Sequence, residues 1–282
     1  MPDAQPWAIK NAATVATAQS SHLSRKQRCD TAGVDAPAAN RYYEDYYRPA
    51  ETDEAAERSR LWRELSAVGK ADHVQRLVER VGISAPGTVA EVGCGDGAVL
   101  GELGRRKFGE RRVGLEVSSS GVELARQRPE IDETVIYDGQ TIPAGDGAFD
   151  LVFATHVLEH LADPAPLLQE MARVALVVIV EVPLESNISG RRPAARAASD
   201  GVGHLQCFDR DQVRALLDGA GLRLQAEVLD SLPLAVQTFW SSSRRARASG
   251  AAKWGVRRAA AHVPSLATRL FTMHYAVLAT RR

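Results

Sequence analysis

The sequence predicts an α/β fold built on a doubly wound sheet of seven strands, and three observations predict it. From residue 88 onward, short apolar runs alternate with amphipathic stretches, the pattern of parallel strands joined by helices on both faces. The first run opens into a glycine-rich turn, Gly93-Cys94-Gly95-Asp96-Gly97, of the kind that lets a ligand approach a helix N-terminus. The 282 residues are 45% hydrophobic and 25% charged, the balance of an ordinary globular chain with room for one large domain.

The elements follow in order. Residues 88–92 read as the first strand and 98–106 as its helix. The second strand is 112–117, and its helix, 119–128, is entered through serines that can cap it. Residues 134–138 form the third strand, ending in Asp138-Gly139, and 150–155 the fourth. A helix over 164–174 leads to a buried fifth strand, 175–182. Asp209 caps a helix over 209–220, and the sixth and seventh strands are 222–229 and 274–280.

Upstream, residues 1–38 are rich in Ala, Thr, Ser and Gln without a sustained period and read as a disordered tail. Residues 39–84 read as an N-terminal helical lid or cap, because Leu61, Leu65, Val68, Val74, Leu77, Val78 and Val81 recur at helical spacing over one or two helices. Tyr42, Tyr43, Tyr46 and Tyr47 precede it; they either roof a ligand or pack the helix onto the main domain, residues 85–282.

Cys29, Cys94 and Cys207 are widely spaced and odd in number, which argues against a disulfide framework and a structural zinc site and suits a reducing, cytoplasmic setting. No secretory leader is apparent, and the longest apolar run, 175–180, is far short of a membrane span. The net charge of zero hides an asymmetry: residues 231–282 hold nine Lys and Arg and no acid. Residues 231–273 form a basic insert between the last two strands, in which Trp240, Trp254, Val256, Val263, Leu266, Leu270 and Phe271 interleave with arginines as in an amphipathic hairpin or lid. Such a face is solvated, or attracts an anionic substrate or membrane headgroups in a peripheral placement at the membrane surface. Nucleic acid is not the expected partner, since no recognised binding motif accompanies the charge.

The glycine turn alone does not choose a ligand. Gly93-x-Gly95-x-x-Ala98 also satisfies the dinucleotide fingerprint, and Glu116 lies 21 residues past Gly95, where a ribose-binding acid is expected. An NAD-binding oxidoreductase and a non-catalytic binding protein therefore stand as rivals. Three features tip the balance. Glu91, two residues before the first glycine, suits a ligand bearing an ammonium group and has no obvious use beside a pyrophosphate. Asp138 is placed to accept from an adenine amino group. The fourth strand runs straight into His156-Val157-Leu158-Glu159-His160-Leu161.

On these motifs the sequence resembles the class I S-adenosylmethionine-dependent methyltransferases, specifically the small-molecule group with a Val-Leu-Glu-His-Leu segment after strand four. The resemblance covers about residues 85–230. It implies a Rossmann-like methyltransferase sheet with the last strand antiparallel, and S-adenosyl-L-methionine as cofactor. By that resemblance Glu91, Gly93, Cys94, Gly95, Asp96 and Gly97 surround the methionine part, and Glu116, beside Val117, takes the ribose hydroxyls. Asp138 and Gly139 meet the adenine, and Thr155 and His156 line the sulfonium side. His160 and His204 are the catalytic candidates: His160 faces the substrate or bonds within its helix, and His204 is a base, a substrate ligand or a packed loop histidine.

His156 to His160 also spells the HxxEH pattern of inverted zinc peptidases. It follows a parallel strand with no third ligand helix behind it, so no metal is expected. The absence of an Asn/Asp-Pro-Pro-Tyr/Phe segment after strand four disfavours exocyclic base amines as acceptors, and the absence of a Pro-Cys segment disfavours pyrimidine carbons. O- or N-methyl transfer to a small molecule or glycan remains. Glu181-Val182-Pro183-Leu184-Glu185 with the basic stretch 191–196 resembles methyltransferases of envelope polysaccharide and glycolipid synthesis.

Overall fold

The computed structural model describes residues 43, 44, 46, 47, 53–84 and 86–282; the predicted tail 1–38, and Tyr42, lie outside the described residues. Seven strands form one sheet: β1 (Thr88–Val92), β2 (Arg111–Glu116), β3 (Glu133–Ile136), β4 (Phe149–Thr155), β5 (Ala175–Leu184), β6 (Leu222–Asp230) and β7 (Met273–Arg281). Their spatial order is β3-β2-β1-β4-β5-β7-β6, with β1 to β5 pairing parallel and β7 antiparallel between β5 and β6. The strand order reverses at β1 and β4, which opens a crevice at the carboxyl ends of those strands.

The described helices are α1 (Asp53–Val81), α2 (Ala98–Arg105), α3 (Ser119–Arg126), α4 (Ala165–Val174), α5 (Pro193–Gly201), α6 (Arg210–Gly219), α7 (Leu234–Thr238), α8 (Arg244–Ala260) and α9 (Pro264–Leu270). Both sheet faces are covered, so the central strands are apolar almost throughout. Val89, Phe153 and Ile179 pack with Ala67, Ala71, Val74 and Leu77 of α1 and Leu100 of α2. Their neighbours along the chain, Ala90, Ala154 and Val180, face the other way, against Leu168 and Met171 of α4 and Val213 and Leu217 of α6.

The apolar positions of 53–81, read as one or two helices, lie on one continuous helix whose inner face is part of the core. Three details depart from the sequence reading. β3 stops at Ile136, so Asp138 sits in the following loop. α5, which the sequence did not announce, buries only Ser199 and so has no apolar stripe to read. The basic insert holds three helices, and α8 buries no residue. It is tied down by Trp254 Nε1 donating to the Leu232 carbonyl (3.2 Å) and by Arg258 facing Asp230 (3.7 Å). Cys94 is free and buried. No described helix is long and apolar enough to cross a membrane.

A buried ion pair fastens α1 to the sheet. His73, 3% exposed, lies 2.9 Å through Nδ1 from Glu181 Oε2 on β5 and 3.9 Å through Nε2 from Asp230 Oδ2 on β6. Burial opposes the charge on His73, but the Glu181 and Asp230 carboxylates outweigh it and raise the ring to about 9. A folded-state value above the unfolded 6.5 means that the stabilisation is complete below about pH 6.5 and is lost as pH rises through about 9. We expect denaturant unfolding to show stability falling across that window by on the order of 3 kcal/mol. His73→Gln should be less stable at pH 6 and flatten the decline; a flat wild-type profile would refute the role of the pair.

Candidate active site

The turn after β1 is built on glycines in left-handed backbone. Gly95 (φ +55°) admits no side chain, because a Cβ there would lie 2.0 Å from the Tyr47 hydroxyl oxygen. Gly97 (φ +72°) is the N-cap of α2, and a Cβ there would lie 2.4 Å from Ile131 Cδ1. The amides of the turn are engaged within the protein. Gly93 N–H and Cys94 N–H donate to the Leu115 carbonyl (2.7 and 3.1 Å), Gly95 N–H to Glu116 Oε2 (2.9 Å), and Gly97 N–H to the Cys94 carbonyl (2.8 Å).

Two buried carboxylic groups flank this turn. Glu91 Oε2 accepts from Leu100 N–H (3.1 Å) in the first turn of α2, and Thr155 Oγ1 lies 3.5 Å from Oε1. Burial pushes Glu91 up to about 8 against the pull of Lys70 and the Leu100 amide. Glu116 uses both oxygens: Oε2 holds Gly95, and Oε1 accepts from Ser118 N–H and Oγ–H, both at 2.9 Å. Asp96 is spoken for by Arg63 (2.7 Å) and Arg128 (3.4 Å). The thiol of Cys94 is pushed well above its usual range by burial. Asp138, exposed in the loop after β3, accepts through Oδ1 from Gln140 and Thr141 N–H, which lowers its carboxyl.

All the sequence-predicted residues except Gly95 and Gly97 line one cavity of about 730 Å³: Glu91, Gly93, Cys94, Asp96, Glu116, Val117, Asp138, Gly139, Thr155, His156, His160 and His204. Gly95 lies beneath Tyr47, and Gly97 packs against Ile131. Tyr43, Tyr46 and Tyr47 contribute to the same wall. Tyr46 and Tyr47 meet edge to face at 4.9 Å, with the Arg63 guanidinium over both rings, and the edge of Tyr43 meets His160 at 5.7 Å. Glu44 anchors this segment by accepting from Ser119 N–H (2.6 Å) and Ser120 N–H (3.2 Å) at the start of α3.

The segment after β4 is not an α-helix. His156 takes φ +61°, rare for a non-glycine residue, and only Leu158–His160 forms a 3₁₀ turn. His156 and His160 therefore do not share one helical face, and the zinc-peptidase geometry is not formed. They enter two neighbouring clusters instead, which His156 bridges through Nδ1, 3.1 Å from Glu159 Oε1. His156 Nε2 lies 3.0 Å from His274 Nδ1, which lies 3.0 Å from Glu181 Oε1. His160 bonds not within a helix but to the Gly203 carbonyl, through Nδ1 at 3.1 Å, and its ring meets that of His204 at 4.9 Å. His204 Nδ1 in turn donates to Glu185 Oε2 at 2.9 Å. Burial drives His160 down to about 4 and His274 to about 4, while Glu185 and Glu159 raise His204 against its burial. Sequence reasoning missed His73, Glu159 and His274 as members of these clusters, although Glu181, a lone acid in the apolar run of β5, was a visible signal.

Residues 90–176 match the family model for a methyltransferase domain. The methyltransferase GfsG of Streptomyces halstedii is 34% identical over 106 residues, 36% of this chain and 38% of that protein. Ajmaline N-methyltransferase of Rauvolfia serpentina is 32% identical over 96 residues, 32% of this chain and 33% of that one. The chain thus spans well under half the length of these relatives. Among solved structures, a methyltransferase of Thermotoga maritima described as a possible histamine N-methyltransferase superposes with a TM-score of 0.58 at 16% identity, covering 86% of this chain and all of that one. The [4+2]-cyclase SpnF superposes at 0.50 and 19% identity, covering 73% and 79%.

Gly97→Ala tests the turn. The left-handed conformation costs an alanine about 1–2 kcal/mol before the contact with Ile131 is counted. Denaturant unfolding should register at least that loss, whereas an alanine variant as stable as wild type would show that the turn has an alternative conformation.

Proposed function

We propose that this chain, a class I methyltransferase by its matching domain and its sheet, uses S-adenosyl-L-methionine to methylate an oxygen or nitrogen of a small-molecule or glycan acceptor. One observation carries the choice of cofactor. The turn that would cradle a pyrophosphate has its Gly93, Cys94, Gly95 and Gly97 amides committed to protein acceptors, and the acids Glu91 and Glu116 stand beside it. An anionic dinucleotide bridge finds those four amides already engaged and the Glu116 carboxylate beside them; a ligand with a cationic amino acid end and a ribose diol meets acceptors. This supports S-adenosylmethionine over NAD.

When bound, the cofactor supplies a methyl group on a positively charged sulfur, already an excellent leaving group. The chain's own work is then to place the acceptor in line, and proximity and orientation are worth about 7–11 kcal/mol. Glu91 lies where it can face the amino acid end, Glu116 the ribose and Asp138 the adenine. Thr155 and His156 close the sulfur side, and the acceptor lies against His160 and His204. Tyr43, Tyr46 and Tyr47 exclude water from the middle of the cavity. The exposed cationic helix α8 gives an acceptor carrying phosphate or carboxylate groups an attractive approach.

Calorimetry with S-adenosylmethionine, S-adenosylhomocysteine and NADH tests the reading: the first two should bind and NADH should not. Heat with NADH alone would overturn it. Glu116→Ala should weaken S-adenosylhomocysteine binding by about one to two orders of magnitude, since hydrogen bonds to a charged group are each worth about 1.5–3 kcal/mol. Affinity should also depend on pH. Glu91 holds its proton below about 8, and an ammonium group beside it favours the ionised form. Affinity should therefore rise between pH 6 and 8, by up to about tenfold per unit, and Glu91→Gln should remove the slope. A wild-type affinity independent of pH would remove Glu91 from the ligand's amino acid end.

A further inference from the structure

We propose that Glu159, His160 and His204 form a site for a borderline first-row divalent cation, Zn²⁺ being the type, on the acceptor wall of the cavity. Their donor atoms all lie within 4.8 Å of one another, although the residues come from two separate segments of the chain. Glu159 is fully buried, and neither carboxylate oxygen has an aligned hydrogen-bond donor; the nearest group, His156 Nδ1, lies 3.1 Å from Oε1. A carboxylate so deeply buried needs a cationic or donor partner.

The histidines are oriented to supply the rest of such a site. His160 Nδ1–H donates to the Gly203 carbonyl at 3.1 Å, and His204 Nδ1–H donates to Glu185 at 2.9 Å. Each bond fixes the ring and its tautomer and leaves Nε2 with the lone pair, the arrangement that metal-bound histidines adopt. His204 Nε2 already stands 4.0 Å from Glu159 Oε1. Ligands about 2.1 Å from a tetrahedral ion are about 3.4 Å apart, so closure needs movements of about 1 Å or less. His160 and His204 also line the cavity, which places the fourth position where a water or an acceptor oxygen or nitrogen can reach it. There the cation would hold the acceptor atom and ease its deprotonation. This last role rests on the methyltransferase reading; the cation site does not.

The neighbouring cluster of His156, Glu181 and His274 is the natural control, because its members already satisfy one another and His73 also holds Glu181. The test uses tag-free protein stripped with chelator and titrated with ZnCl₂ by calorimetry and with CoCl₂ by visible absorption. We expect one saturable equivalent, with d–d bands for Co²⁺. Removing a ligand, in His204→Gln or His160→Gln, should weaken binding at least a hundredfold. Glu185→Gln, which loosens only the ring of His204, should weaken it about 10–100-fold, and His274→Gln should leave it intact. Circular dichroism melts of the metal-free variants establish that each one folds. Absence of a saturable equivalent, unchanged binding in His204→Gln, or loss in His274→Gln instead would overturn the proposal. S-adenosylhomocysteine binding by the same stripped protein reports separately on the cofactor reading.

Discussion

The turn after β1 depends on two acids that lie out of water. Glu91 reaches past the glycines to the Leu100 amide, so the end of a strand caps the helix that follows it. Glu116, from the neighbouring strand β2, holds the Gly95 amide and the Ser118 amide and hydroxyl. The turn is thereby fixed from both sides before any ligand arrives, which is what preorganisation requires. Its glycines are the consequence: the chain must pass beneath Tyr47 at Gly95 and enter α2 in left-handed backbone at Gly97, and a Cβ fits at neither point.

The strands were legible because both faces of the sheet are buried, which makes β1, β4 and β5 near-continuous apolar runs bounded by turns. β1 falls on the predicted residues 88–92, and the predicted ends of the other strands fall within two residues of those observed. Most of the cavity was legible as well, since its residues sit where strand ends put them. What escaped depends on contacts between distant parts of the chain. α5 shows no apolar stripe because almost nothing covers it. Asp138 looked like the end of a strand, but its carboxylate draws the following amides into a local turn. The helical spacing of His156 and His160 misleads because His156 reverses the backbone.

That reversal divides the histidines. With His156 at φ +61°, its ring turns toward β5 and β7, while His160 continues into the loop that carries His204. Glu181 therefore belongs to a closed network in which His73, His156 and His274 all share its two oxygens. Glu159 is held less fully. Its main-chain carbonyl takes the Leu205 and Gln206 amides, which brings the His204 loop alongside, and its carboxylate has His156 Nδ1 at 3.1 Å from one oxygen while the other has no donor among the described residues. One backbone inversion thus separates a cluster that stabilises the packing of α1 from one with capacity to spare.

The same electrostatic pattern recurs around the cavity. The amino ends of helices are natural sites for anions, yet here protein carboxylates take the first amides: Glu91 and Asp96 at α2, Glu44 at α3. Of the cationic side chains near the turn, Arg63 and Arg128 are paired with Asp96, and Lys70 acts on Glu91. The part of the cavity beside the turn is consequently lined by acids, with its arginines already engaged. Because one fold serves several chemistries, the side chains rather than the sheet must make the choice, and this arrangement of acids favours a ligand that brings its own positive charge.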